Sequence, residues 1–181
     1  MQLVIVDRDG VINEDSDAYI KSPAEWIPIP GSLEAIARLN DAGFRVVVAT
    51  NQSGVGRGLF SMAELDAIHQ KLHSALGRLG GQLDGIYFCP HTPDDHCGCR
   101  KPQPGLLLEI AARHGTDLAD VPVIGDTLRD LEAARAVGAT PILVRTGKGR
   151  VAEASLPADW GAAVFDDLAQ AAQALVAAAA R

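Results

Sequence analysis

Five short apolar runs punctuate the chain: Leu3–Val6, Val46–Ala49, Ile86–Phe88, Val121–Ile124 and Pro141–Val144. Rich in branched residues, they predict strands of a parallel sheet buried on both faces. Between them, helical patterns run over Ser32–Ala42, Ser61–Leu79, Gly105–His114 and Leu128–Val137. Ser32 and Ser61 stand where N-caps belong, and Glu64, three residues after Ser61, suits a capping box. Gly43, Gly115 and Gly138 follow helical stretches, where a left-handed residue ends a helix. The alternation of strand and helix predicts an α/β fold, a parallel sheet with helices on both faces. Ala163–Phe165 adds a short edge strand, and the Ala-rich stretch from Asp166 to Arg181 reads as a closing amphipathic helix. Two irregular stretches, 13–30 and 89–104, are long enough to suggest functional loops. Without repeats or low-complexity linkers, residues 1–181 read as one domain.

Composition narrows the classes. Aromatic residues make up only 4% against 48% hydrophobic, so Val, Ile, Leu and Ala must build the core. A net charge of −7 argues against sequence-independent nucleic-acid binding. An anionic small substrate stays compatible, because a local basic cluster or a metal overrides the global field. No apolar run reaches membrane-spanning length. The start, Met1-Gln2-Leu3-Val4, lacks a positive segment followed by a longer apolar stretch. A soluble cytoplasmic monomer is the expectation, with neither nucleic acid nor membrane as partner.

Asp7-Arg8-Asp9-Gly10 directly follows the first apolar run. Open α/β sheets bind ligands at the carboxyl ends of their strands. Residues two apart in an extended segment point to the same side, so both carboxylates project into one space. That is costly without a cation or a proton between them, which points to a magnesium site or a nucleophile and acid/base pair. Other strands end in polar motifs too. Thr50-Asn51-Gln52-Ser53-Gly54 follows the second, Arg100-Lys101-Pro102 the third, and Gly125-Asp126-Thr127-Leu128-Arg129-Asp130 the fourth. Hydroxyls and backbone donors near Gly suit phosphate oxygens, and Lys and Arg supply charge for the same group. Each motif alone also reads as an ordinary turn. Their recurrence at successive strand ends is what points to phosphate chemistry.

In this order the motifs resemble the haloacid dehalogenase superfamily of phosphotransferases. The matches are Asp7-x-Asp9-Gly10, Thr50 after a strand, Lys101 before proline, and Gly125-Asp126-x-x-x-Asp130. The resemblance implies a Rossmann-like three-layer α/β/α fold without a large cap domain, and an aspartyl-phosphate mechanism. Asp7 would be the nucleophile and Asp9 the general acid and base. Thr50 and Lys101 would stabilise the transferring phosphoryl group. Mg²⁺ would be held by Asp7, the Asp9 backbone carbonyl and Asp126, with Asp130 in support.

All three cysteines fall within one loop, Cys89 to Cys99. Cys89-x-His91 and Cys97-x-Cys99 match a closed, tetrahedral structural Zn²⁺ site, with His96 a possible substitute for His91. A disulfide is disfavoured by the odd count. Such a staple would hold Arg100 and Lys101, which follow at once, over the active site. The cysteine loop, with Asp-Arg-Asp-Gly-Val-Ile-Asn and Thr-Asn-Gln-Ser-Gly-Val-x-Arg-Gly, resembles the D-glycero-D-manno-heptose 1,7-bisphosphate 7-phosphatase family. That implies a sugar bisphosphate substrate in the making of a lipopolysaccharide precursor. It implies substrate contacts from Arg8, Asp15, Asn51, Gln52, Ser53, Arg57 and Arg100. The His91–Cys97 spacing is closer to histidinol-phosphate phosphatases, which stand as the enzymatic alternative. A zinc-stabilised, catalytically silent binding module is the alternative of another class. His69 and His73 lie one helical turn apart and read as surface or half-buried helix residues. His114 reads as a helix C-terminal residue favoured by the dipole. Lys148 reads as a flexible surface lysine, and Trp26 and Phe44 as packing residues.

Overall fold

Each predicted apolar run becomes a strand, and all of them join one sheet. In a computed structural model describing residues 2–181, the strands are β1 (Gln2–Val6), β2 (Phe44–Asn51), β3 (Gly85–Cys89), β4 (Pro122–Gly125), β5 (Thr140–Val144) and β6 (Ala163–Phe165). They pair in parallel in the order β3-β2-β1-β4-β5-β6. The helices are α1 (Ser32–Asp41), α2 (Ser53–Gly56), α3 (Met62–Gly77), α4 (Gly105–His114), α5 (Leu128–Ala136), α6 (Gly149–Ala154) and α7 (Leu168–Ala179).

The period-two alternation of side chains divides the core between the two faces. Val4 and Val6 of β1 pack with Ile36 and Leu39 of α1, Ile68 and Leu72 of α3, and Leu168 of α7. Leu3 and Ile5 point the other way, toward Leu106, Leu107 and Ile110 of α4 and Ala133 and Ala134 of α5. Burial of each such aliphatic side chain is worth about 1.5–3 kcal/mol, so β1 is held from both sides. Chain order reverses on either side of β1, which opens a crevice at the carboxyl ends of β1 and β4.

Local signals held with one exception. Ser61 caps α3 in a full capping box with Glu64, and Gly43, Gly115 and Gly138 take positive φ. Ser32 does not cap α1: Gly31 holds that position at φ 84°, and the Ser32 hydroxyl instead donates to the Val11 carbonyl at 2.8 Å. Strand β2 outruns its apolar stretch, because Thr50 and Asn51 stay paired with Phe88 and Cys89 of β3. That extension carries two polar residues into the crevice on a rigid ladder. Helix α6 had no signal in the pattern, being a single short turn and a half. Trp26 and Phe44 are buried, as packing residues should be. Among the described residues, no helix is long and apolar enough to cross a membrane.

Candidate active site

The Asp7 amide donates to the Ile124 carbonyl at 2.9 Å, so the β1–β4 pairing carries the chain into the crevice. A tight turn follows, with the amides of Val11, Ile12 and Asn13 converging on the Arg8 carbonyl. Gly10 turns at φ 83° and Gly147 at φ 56°. A Cβ on either would strike the Asp126 carboxylate, so both positions need glycine to keep that carboxylate in place.

Above these strand ends lies a cavity of about 230 Å³ lined by Asp7, Asp9, Thr50, Lys101 and Asp126, among others. Lys101 is almost wholly buried. Its Nζ donates to the Ala49 carbonyl at 2.7 Å and to Asp130 Oδ1 at 2.5 Å, and lies 3.2 Å from Asp7 Oδ1. Burial alone would lower the lysine's proton affinity, but Asp130 and Asp7 outweigh it and hold the ammonium charged. Asn51 clasps the Lys101 backbone, accepting from its N–H and donating to its carbonyl, both at 3.0 Å. The other oxygen of Asp130 accepts from the Thr127 hydroxyl at 2.8 Å and amide at 3.1 Å, a capping box that opens α5.

Asp9 has unequal oxygens. Oδ1 accepts from Arg8 Nε and Asn13 Nδ2, both at 2.9 Å, while Arg8 Nη2 sits 2.8 Å away in an ionic contact off the hydrogen-bonding direction. Oδ2 accepts only from Gln52 Nε2 at 2.9 Å, and the same amide reaches Thr50 Oγ1 at 3.0 Å. The spare lone pairs of Asp9 are therefore on Oδ2, the oxygen best placed to carry a proton.

Asp7, Asp126 and Asp130 bring carboxylate oxygens within 4.8 Å of one another. Burial pushes the Asp7 carboxyl up to about 7 against the pull of Lys101, with Asp130 and Asp9 adding to the rise. Burial, then the charges of Asp7 and Asp130, push Asp126 up to about 8. Such a cluster is relieved by a hard divalent cation. Asp130 is already committed to Lys101 and Thr127, and Asp126 Oδ2 to the Lys148 amide at 2.9 Å. Asp7 Oδ1 accepts from the Arg8 amide at 2.8 Å, so Asp7 Oδ2 and the remaining oxygen of Asp126 are left for an ion.

The structure corrects one expected contact. Arg8 does not line the cavity: its guanidinium is wholly buried beneath Asp9, with Nη1 3.1 Å from His69 Nε2. An arginine two strand-end positions from the crevice points inward because Asp9 offers it an ion pair there. Asp15, Asn51, Gln52, Ser53, Arg57 and Arg100 do line the cavity, although the Asn51 amide is spent on Lys101. Arg100 Nη1 is a buried donor without a protein partner, the kind of group a ligand satisfies. Burial and the nearby Arg129 and Arg57 lower its proton affinity, so three cations share one mouth.

Sequence reasoning missed Arg129, which also lines the cavity, and undervalued Lys148. Lys148 Nζ lies 3.5 Å from Asp15 Oδ2 and 3.4 Å from Asp17 Oδ1, tying the 13–30 loop to the start of α6. Both could have been found: Arg129 stands inside the fourth polar motif, and Lys148 follows Thr146-Gly147 at the end of β5. His69 is more buried than expected, and His114 ends α4 as expected, with its ring engaged by side chains. It meets Arg45 at 2.6 Å and Tyr87 at 3.0 Å, and burial followed by the arginine's charge disfavours its protonation.

The cysteine loop gathers Cys89, His91, Cys97 and Cys99 so that their donor atoms lie within 4.8 Å of one another. The sulfur of Cys89 is 3.6 Å from that of Cys97, and His91 Nδ1 is 3.3 Å from the Cys99 sulfur. All three thiols are free. His96 lies outside the cluster, so His91 is the fourth donor. Three sulfurs and an imidazole at this spacing fit one tetrahedral metal ion.

A family model described as polynucleotide kinase 3 phosphatase matches residues 3–127, and one described as HAD-hydrolase-like matches residues 98–171. The chain is 57% identical over 178 residues to the D-glycero-beta-D-manno-heptose-1,7-bisphosphate 7-phosphatase of Bordetella bronchiseptica, covering 97% of this chain and 98% of that one. The protein of the same name from Pseudomonas aeruginosa is 54% identical over 174 residues, covering 96% and 97%. The solved structure of D,D-heptose 1,7-bisphosphate phosphatase from B. bronchiseptica, complexed with magnesium and phosphate, matches at TM-score 0.95 and 56% identity over 98% of this chain and 99% of that one.

Proposed function

The chain belongs to the D-glycero-beta-D-manno-heptose-1,7-bisphosphate 7-phosphatase family of haloacid dehalogenase-type hydrolases, and we propose that Asp7 and Asp9 divide its chemistry between them. It is a phosphoric monoester hydrolase of a small sugar bisphosphate. A carboxylate oxygen of Asp7 attacks the 7-phosphorus while the bond to the sugar oxygen breaks, giving an aspartyl phosphate. Asp9 Oδ2 delivers a proton to the departing alkoxide. The resulting Asp9 carboxylate takes a proton from water as that water attacks phosphorus, releasing phosphate and restoring Asp7. Lys101 and the Thr50 hydroxyl stabilise the phosphoryl oxygens as charge shifts. Arg57 and Arg100 receive the hydroxyls or the second phosphate of the sugar. The β anomer is the substrate for which the relatives are named.

Magnesium, present in the Bordetella structure, fits the acidic cluster of this chain, with Asp7, Asp126 and the Asp9 carbonyl as ligands and Asp130 in support. When bound it neutralises phosphoryl oxygens and orients the group toward Asp7. Zn²⁺ at Cys89, His91, Cys97 and Cys99 would be structural, fixing the loop from which Arg100 and Lys101 extend. We place this activity in a reducing cytoplasm, as a monomer of one domain, where the three free thiols stay available to metal.

The observation that carries this reading is Lys101 bridging Asp7 and Asp130, beside a second acid with one lightly bonded oxygen. A silent binding module has no use for that set. The test is a kinetic comparison of heptose 1,7-bisphosphate with histidinol phosphate. The heptose substrate should have the higher kcat/KM by at least about tenfold, and a preference for histidinol phosphate would overturn the assignment.

A further inference from the structure

We propose that His69 is a positioning residue for the proton-transferring acid: it accepts a hydrogen bond from buried Arg8, whose guanidinium fixes which oxygen of Asp9 is left to carry the proton. This rests on the role given to Asp9 above. The geometry begins with donor count. A guanidinium only donates, so the 3.1 Å contact between Arg8 Nη1 and His69 Nε2 makes Nε2 the acceptor and places the ring proton on Nδ1. Arg8 is entirely enclosed, and among the described residues Asp9 and His69 are the side chains that receive it. Buried donors need acceptors, so the two contacts together fix the plane of the guanidinium.

That plane decides the chemistry of Asp9. With Arg8 Nε and Asn13 Nδ2 both donating to Oδ1, and Nη2 in ionic contact beside them, the lone pairs of Oδ1 are taken up. The proton to be moved belongs on Oδ2. The support is itself rigid. His69 sits on α3, its ring tilted against Phe88 of β3 at 6.1 Å between centroids. Two residues on, Lys71 Nζ donates to the Pro23 and Trp26 carbonyls at 2.6 and 2.8 Å, bolting the same helix to the loop that follows Asp9. Burial, followed by the charge of Arg8, holds His69 down to about 3, so the ring stays neutral and able to accept.

Leaving groups separate positioning from mere structure. The sugar alkoxide needs the proton from Asp9, whereas p-nitrophenolate departs without one. His69→Leu should lower kcat/KM for heptose 1,7-bisphosphate by about tenfold or more, yet leave p-nitrophenyl phosphate within about twofold of wild type. His69→Gln, whose amide oxygen can accept from Arg8, should recover most of the loss. If the leucine variant does not fold, His69→Met carries the same comparison. Equal losses on both substrates, no loss, or no recovery with glutamine would overturn the proposal. Asp9→Asn on the same pair keeps the two readings apart. A leaving-group effect there but not at His69 removes only the positioning role. Its absence at Asp9 removes the acid assignment itself.

Discussion

Among single residues, two neighbours at the cavity have opposite fates. Lys101 is buried against Asp7 and Asp130, while Arg100 is half exposed at the cavity wall. Lys101→Ala should cut kcat by about 10²–10³ on any phosphate ester, because it removes charge stabilisation in the transition state. It should also destabilise the fold by roughly 3–5 kcal/mol, since two buried carboxylates lose their partner. Arg100→Ala should raise KM for the heptose bisphosphate and spare an aryl phosphate. Steady-state kinetics on both esters decides this; equal damage from Arg100→Ala, or an unchanged kcat in Lys101→Ala, would contradict it. The acidic and basic residues were legible because each follows a strand. The burial of Arg8 was not, because its acceptor His69 lies sixty-one residues away on α3, beyond the reach of any local pattern.

At the scale of elements, the apolar runs and glycine stops located every strand of the sheet and the five longer helices. What the pattern left out was set by tertiary contact. Strand β2 extends through Thr50 and Asn51 because β3 pairs with them, and Gly31 caps α1 because the Ser32 hydroxyl is drawn to Val11. The cysteine loop is the element most dependent on something other than packing. Its residues from His91 to Gly98 are largely exposed, and metal ligation at the Cys/His cluster would supply the order that a core supplies elsewhere. Protein purified without added zinc should carry about one tightly held zinc per chain by elemental analysis. Cys97→Ser should lower both zinc content and activity. A zinc-free chain that is folded and fully active would remove the metal from the account.

At the scale of the whole molecule, the buried acidic cluster couples stability to pH and to divalent cations. The folded chain holds Asp7 up to about 7 and Asp126 up to about 8, against 3.8 for an ordinary aspartate. Without a cation, the folded state thus binds more protons than the unfolded one. This contribution to stability is full below about pH 4 and is lost as pH rises through about 7 to 8. A divalent cation replaces those protons, so the rise in Tm on adding MgCl₂ should be larger at pH 8 than at pH 6. Thermal unfolding with and without MgCl₂ measures it; a rise that is the same at both pH values would contradict the cluster's role as the cation site.

The sheet, the two-sided core and the loops above β1 exist, in this account, to hold one phosphoryl group against Asp7 and one proton on Asp9. The most direct measurement is ³¹P NMR of D-glycero-β-D-manno-heptose 1,7-bisphosphate incubated with the protein and Mg²⁺, in parallel with Asp7→Asn. The 7-phosphate resonance should disappear as inorganic phosphate grows, the 1-phosphate should persist, and the folded Asp7→Asn variant should leave both resonances unchanged over the same time. Loss of the 1-phosphate first, or undiminished release by Asp7→Asn, would contradict the assignment.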